Sequence, residues 1–321
     1  MLRYIVRRLL QMIPILFGIT LITFLIINAA GSPLQNMEFN PRVKPEDIER
    51  IRRNLGLDEP VWKRYFFWVS HVLRGDLGLS LINFRPVTER IQEVMFNTLL
   101  LASISITLSI LIAVPLGIYA ATHRNGLVDR ISSIFAVAGY AVPTVWLGLL
   151  LIILFAVQFD KWGLPSLPVG GVRDLRGDGG MKDRIEHLIL PITALVLPQI
   201  ASLLFYVRAN MIEVIQQDYM RAAAAKGLKR KSVLYGHGFR NVLIPLVTIL
   251  GLSIPDVFAG SLVVENVFAY PGMGRLAVTA IGDKDHTLVM GITLMFAILV
   301  MFGNLVADVL YAVVDPRIRL D

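Results

Sequence analysis

The sequence predicts an all-α integral membrane protein with six transmembrane helices, and three observations carry that expectation. Of 321 residues, 55% are hydrophobic and 17% charged, with a mean hydropathy of +0.64, whereas a soluble chain of this size carries more charge. Six apolar stretches can each supply the roughly 20 helical residues that a bilayer crossing needs. The charge is also segregated by loop. With the N-terminus inside, the inner segments hold 14 basic and six acidic residues, while the outer loops hold 17 of each. The inner segments thus carry +8, the outer loops net zero and Asp256 in a span the remaining −1, so the whole net +7 lies on one face, the positive-inside pattern of a cytoplasmic surface. Nucleic-acid binding is not needed to explain it.

The first stretch, Leu9–Ala29, follows Arg3, Arg7 and Arg8. Its apolar core exceeds the h-region of a signal peptide, so an uncleaved signal anchor is expected. The second and third, Thr98–Ala121 and Ile131–Phe159, carry no charge. The fourth is Leu188–Val207; the fifth, Val242–Val264, is interrupted only by Asp256; the sixth, Thr287–Val314, holds Asp308 near its inner end. Pro14, Pro115, Pro143, Pro198 and Pro255 lie within spans, as bundled membrane helices tolerate.

Between these lie three outer loops. In the first, Gly31–Glu93, "PEDIERIRRNLG" predicts a helix with Pro45 at its first position, acids in the first turn and Gly56 beyond the end. "EPVWKRYFFWVSHVLRG" predicts a second helix from Pro60, with Val61, Trp62, Tyr65, Val69, Val72 and Leu73 on one apolar face and Arg64 elsewhere. Such a face rests on the bilayer or on the bundle; docking of an external partner is left to the loop as a whole. The loop Asp160–His187 contains "GGVRDLRGDGG" and reads as irregular; the third contains "ENVFAYPGMGRL", Glu265–Leu276, with turn chemistry in "YPGMG". The expected organisation is a first helix over 1–30, an outer loop domain over 31–95, and a core of five spans over 96–321.

The segment "DYMRAAAAKGLKRKSV" stands apart. Asp218 suits an N-cap and Gly227 a left-handed C′ position. The intervening two turns are too short to be stable alone in water, so something external must hold them. A docking element is one reading; a connector packed on the chain's own helix ends, or lysines facing anionic lipid, is the other. In the spans, Asp256 is a costly ionisable group that lines a pathway or bonds a neighbouring helix. Pro255 beside it frees a carbonyl and makes local non-helical geometry plausible. No G-x-x-x-x-G-K-[ST], H-E-x-x-H or G-x-S-x-G occurs, and cysteine is absent. These gaps argue against ATP binding, metalloprotease and serine-hydrolase chemistry in this chain.

From "DYMRAAAAKGLKRKSVLYGHGFRNVLIPLVT" the chain resembles the EAA-type loop of ABC importer permeases, in the dipeptide/oligopeptide branch. Arg221 stands where the general motif has glutamate, and Pro245 comes later than usual; both are typical of that branch. "RYIVRRLLQMIPILFGITLITFLI", "NLGLDEPVWKRYFFWV", "RGDLGLS", "VVENVFAYPGMGRL" and "VADVLYAVVDPRIR" extend the resemblance along the chain, to the B-type first permease subunit. The resemblance implies a type I importer permease fold with both termini cytoplasmic and a coupling loop at 208–241. It implies a non-catalytic subunit of a bacterial or archaeal cytoplasmic membrane, importing dipeptides or oligopeptides by alternating access. Its partners would be a homologous permease, two ABC ATPases that bind ATP and magnesium, and an extracytoplasmic substrate-binding protein, with no cofactor in this chain. Asp218, Tyr219, Arg221, Ala222, Ala223, Ala224, Lys226 and Gly227 would meet the ATPase; Asp256 and Glu265 would line the pathway. Nickel complexes or oligosaccharides are alternative cargoes. An ion-coupled secondary transporter is the rival class, weakened by the lack of repeats and of further buried charges.

Overall fold

The structure is a computed structural model, and it describes residues 2–32, 34, 44–54, 56–174, 179–230 and 232–314. The proline-containing opening of the first outer loop (35–43), part of the second loop (175–178), Lys231 and the tail from 315 to 321 lie outside the described residues. The helices in chain order are α1 (Leu2–Ala29), α2 (Pro45–Asn54), α3 (Val61–Val72), α4 (Val87–Thr122), α5 (Leu127–Ala141), α6 (Thr144–Leu151), α7 (Met181–Ile215), α8 (Asp218–Ala225), α9 (Arg240–Val267), α10 (Met273–Gly282) and α11 (His286–Val314). Wider π-type turns extend α6 over Ile152–Gln158 and precede α9 over Ser232–Phe239. No strand occurs among the described residues, only an isolated bridge between Leu79 and Pro86.

Among the described residues, six helical segments are long and apolar enough to cross a membrane: Tyr4–Ala29, Val87–Thr122, Thr144–Lys161, Met181–Ile215, Ile249–Val267 and His286–Val309. Each falls on one of the six expected stretches, with one correction. The third stretch is not a single helix from Ile131. It breaks at Val142 (ψ 120°) and Pro143 (ψ 137°), both extended. Proline lacks the N–H that would continue α5 and drives the residue before it out of the helical region. Hydropathy runs unbroken through the join, which is why the apolar count missed it.

The chain forms two compact units, Met1–Asn97 with Gly272–Phe302, and Thr98–Pro271 with Gly303–Asp321. In the first unit α3 packs on α1 through Tyr65, which is 2% exposed. Its hydroxyl lies 2.9 Å from Thr20 Oγ1 and donates to the Phe17 carbonyl at 3.2 Å, while Phe17 and Phe24 meet the ring edge-on. Pro60 caps this helix rather than opening it. The buried arc also differs from the expected one: Tyr65, Trp68, Val69 and Val72 face inward, and Val61, Trp62 and Leu73 remain exposed. The helix is apolar on two arcs, and α1 accepts only one. Asp285 caps α11 and latches the loop at 80: its carboxylate accepts Ser80 Oγ at 2.5 Å, the Leu81 N–H at 3.1 Å and the Leu288 N–H at 3.1 Å.

In the second unit α7 is the central element, with Ala194, Ala201, Leu204, Val207 and Met211 all nearly inaccessible. Small residues let its neighbours approach. A β-carbon on Gly139 of α5 would lie 2.7 Å from Ala201 Cβ. This close approach substitutes for the hydrophobic driving force that lipid does not provide.

Candidate functional site

α8 is eight residues long, and its cap falls one residue earlier than the sequence suggests. Gln217, extended at φ −69° and ψ 148°, is the N-cap and Asp218 is the first helical residue. The expected capping bond from Asp218 is not made. Its carboxylate sits in the first turn, where it complements the helix dipole, and it pairs with Arg221 at 2.9 Å. Both side chains are exposed, so the pair adds little stability. At the other end Lys226 is the C-cap, and Gly227 takes φ +76° while donating its N–H to the Ala224 carbonyl.

What holds so short a helix is partly the chain itself. Met220 and Ala223 are buried against Val233, with Val214 and Leu234 around them. Gly238 makes room: a β-carbon there would stand 3.0 Å from Met220 Cε. Ala223 therefore faces inward. Tyr219, Arg221, Ala222, Ala224, Lys226 and Gly227 are exposed. One face is anchored and the other is open.

The helix that leads into α8 is braced. Arg208, two turns before the end of α7, donates Nε–H to Asp129 Oδ1 and Nη2–H to Oδ2 at 3.2 Å. The Asn125 N–H also donates to Asp129 Oδ2, at 2.8 Å. Asp129 is 3% exposed in the first turn of α5. The Arg208 bonds hold its carboxyl below the ordinary range against the opposing effect of burial, and the Asn125 N–H reinforces them. Both residues belong to the inner segments by the loop count, but nothing local in the sequence signals that they pair.

A cavity of about 400 Å³ opens among α4, α7, α9 and the Val142–Thr144 break. Asp256 lines it, together with Ser109, Tyr140, Gln199 and Ser202. Ser109 Oγ donates to Gln199 Oε1 at 3.0 Å. α9 runs through Pro255 without interruption, so the non-helical geometry expected there is absent: the freed carbonyl is accommodated within a continuous helix. Glu265 lies elsewhere. It is fully buried, accepts Thr98 Oγ1 at 2.7 Å, and does not line this cavity. Its backbone carbonyl takes the Tyr270 N–H at 2.8 Å. Burial, and then the charge of Glu265, push the Tyr270 phenol up to about 12. The two candidate pathway carboxylates are thus not brought together. Gln199, Ser109 and Tyr140 were missed because uncharged polar residues in long apolar runs carry no distinctive signal.

The chain has counterparts among known proteins. Residues 113–320 match the family described as binding-protein-dependent transport system inner membrane component, and residues 1–102 match its N-terminal family. The chain belongs to this family of ABC importer permeases. It is 40% identical to the oligopeptide transport system permease protein AppB of Bacillus subtilis, over 98% of this chain and 99% of that protein. It is 36% identical to the glutathione transport system permease protein GsiC of Escherichia coli K12, over 99% of each. The fold is also similar to a chain of the MetNI methionine ABC transporter solved in inward-facing conformations. That match has a TM-score of 0.55 and 16% identity, covering 71% of this chain and 97% of the other.

Proposed function

We propose that this permease imports dipeptides or oligopeptides, as one half of a membrane pathway driven by ATP hydrolysis in partner chains. The observation that carries the reading is the two-faced α8. It is fixed to its own unit by Met220 and Ala223, and it presents Tyr219, Arg221, Ala222, Ala224 and Lys226 outward. A smooth alanine surface lets a partner approach closely, and the Gly227 turn ends it abruptly. ATPases closing on ATP would displace α8, and the Arg208–Asp129 brace would carry that displacement to α5 and α7. Differential contact in the ATP-closed state supplies the bias between inward-open and outward-open forms.

The peptide assignment is supported by the names of the oligopeptide and glutathione permeases it resembles over nearly its full length. Asp256 and the Ser109–Gln199 pair offer a charged and a neutral polar contact for a passing backbone. The remaining partners in this proposal are a homologous permease and an extracytoplasmic binding protein, with both termini of this chain cytoplasmic. Proteoliposomes holding the complete complex should accumulate labelled oligopeptide only with ATP inside the motor compartment and binding protein on the opposite side. Uptake driven by an ion gradient without ATP would overturn the reading.

A further inference from the structure

The first unit holds a second cavity, of about 250 Å³, where the end of α1, α3 and the start of α11 meet. Its walls are largely apolar, with Phe24, Ile27 and Met290 from the two membrane-length helices. Its polar groups are mostly donors. Arg64 lines it, stacked over Phe24 at 5.8 Å, and has no acidic partner among the described residues. Burial alone pushes this guanidinium below its ordinary range. Trp68 also lines it, with an indole N–H that is buried and makes no hydrogen bond. His286 adds a third potential donor. The one carboxylate present, Asp76, is already engaged by the Gly78 N–H at 2.8 Å and by His71 at 3.1 Å. The cavity thus offers a half-buried cation and an orphaned buried donor, and no free acid to satisfy them. Buried groups in that state cost free energy unless a ligand completes them.

We propose that this cavity binds the phosphate of a membrane phospholipid, with Arg64 and Trp68 as its donors. Three features favour lipid over another anion. The cavity lies where two apolar spans end, which is the depth of the headgroups. On α1, Leu25 is exposed three residues from Asn28 of the cavity lining and offers a start for an acyl chain. The outward arc of α3, with Trp62, Phe66 and Leu73 all more than half exposed, matches a helix lying in the membrane interface. The proposal rests on the spans and not on the cargo or the ATP-driven mechanism.

The test is native mass spectrometry of the full permease complex in mild detergent, titrated with palmitoyl-oleoyl phosphatidylglycerol. Arg64→Met keeps the packing stem and should weaken one tightly retained lipid by roughly tenfold or more, the scale of a lost charge-assisted hydrogen bond. Trp68→Phe, which keeps the ring contacts, should weaken it by a smaller factor. Inorganic phosphate at millimolar concentration should not displace it. Equal lipid retention in wild type and Arg64→Met would overturn the proposal, and displacement by inorganic phosphate would assign the site to free anions. Independently of any variant, phosphatidylglycerol with a diazirine near the headgroup should label wild-type peptides containing Trp68 or Met290. Labelling confined to other helices would also overturn it. Loss of peptide uptake with lipid retention intact would bear on the transport reading alone.

Discussion

Arg208 and Asp129, 79 positions apart in sequence, are joined by a two-pronged ion pair that ties the end of α7 to the first turn of α5. A carboxylate only 3% exposed cannot lose this partner cheaply. Removing one member of a buried pair typically costs about 3 kcal/mol or more. Arg208→Met alone should therefore destabilise the permease by about that amount in thermal melts. The double variant Asp129→Leu/Arg208→Met should recover most of the loss, because no uncompensated charge remains. Because α7 leads directly into α8, the double variant should fold yet transport poorly. Wild-type uptake in it would show that the pair is structural only.

The same pair sets an acid limit. The folded-state pKa of Asp129 lies below its unfolded value. Its contribution is therefore complete above the ordinary Asp pKa of about 4 and is lost as pH falls below that, through the depressed folded value. Melting temperatures measured from pH 6 down to 3 should fall more steeply for wild type than for Asp129→Leu/Arg208→Met. Parallel curves would remove Asp129 from the account of acid stability.

At Gly227, φ is +76° and nothing lies within 4 Å of a built β-carbon. The penalty of a side chain there is conformational, about 1–2 kcal/mol, and falls on the turn that ends α8. Gly227→Val should insert and fold, but lose most ATPase association in pull-downs from membranes. Gly227→Asn, which tolerates the left-handed region, should retain it. Normal coupling in the valine variant would remove the turn from the mechanism.

Asp256 is exposed within the larger cavity, so its removal should leave stability within roughly 0.5 kcal/mol. Asp256→Asn should lower peptide uptake severalfold, with substrate-stimulated ATP hydrolysis lowered less. Unchanged uptake across peptides of different charge would reassign the residue to a lipid or water contact.

Asp285 accepts three donors from two separate segments while 1% exposed. Asp285→Ala leaves Ser80 Oγ and two N–H groups without their partner, and should cost about 2–3 kcal/mol. Hydrogen exchange should quicken first at Leu81 and Leu288, whose N–H groups Asp285 accepts. Protection unchanged at those amides would show that the latch is redundant.

The legible and illegible parts of this chain divide on physical lines. Span existence depends on summed hydropathy, so all six were readable from composition. The Val142–Pro143 break was not, since one proline among apolar residues is equally compatible with a kinked continuous helix, as Pro255 demonstrates. Gly227 was readable because only a few residue types accept its conformation. The cap was misplaced by one residue because Asp218 serves a first turn as well as a cap. Arg64 looked like the solvated side of an amphipathic helix, and only the packing of α3 on α1 shows that it lines a cavity. Asp129 with Arg208, and Glu265 with Thr98, depend on tertiary contact and have no local signature.

The central claim is that the open face of α8 is where an ATP-hydrolysing partner engages. The chain contains no cysteine, so Ala224→Cys on the exposed face of α8 introduces a unique thiol. In a transport-competent complex, a short thiol-to-amine crosslinker should join this position to the ATP-binding chain, with an efficiency that changes on ATP addition. A thiol at Leu73, in the outer loop, should give no such product. Failure of Ala224→Cys to link to any ATP-binding chain, in a complex that still imports peptide, would contradict the account.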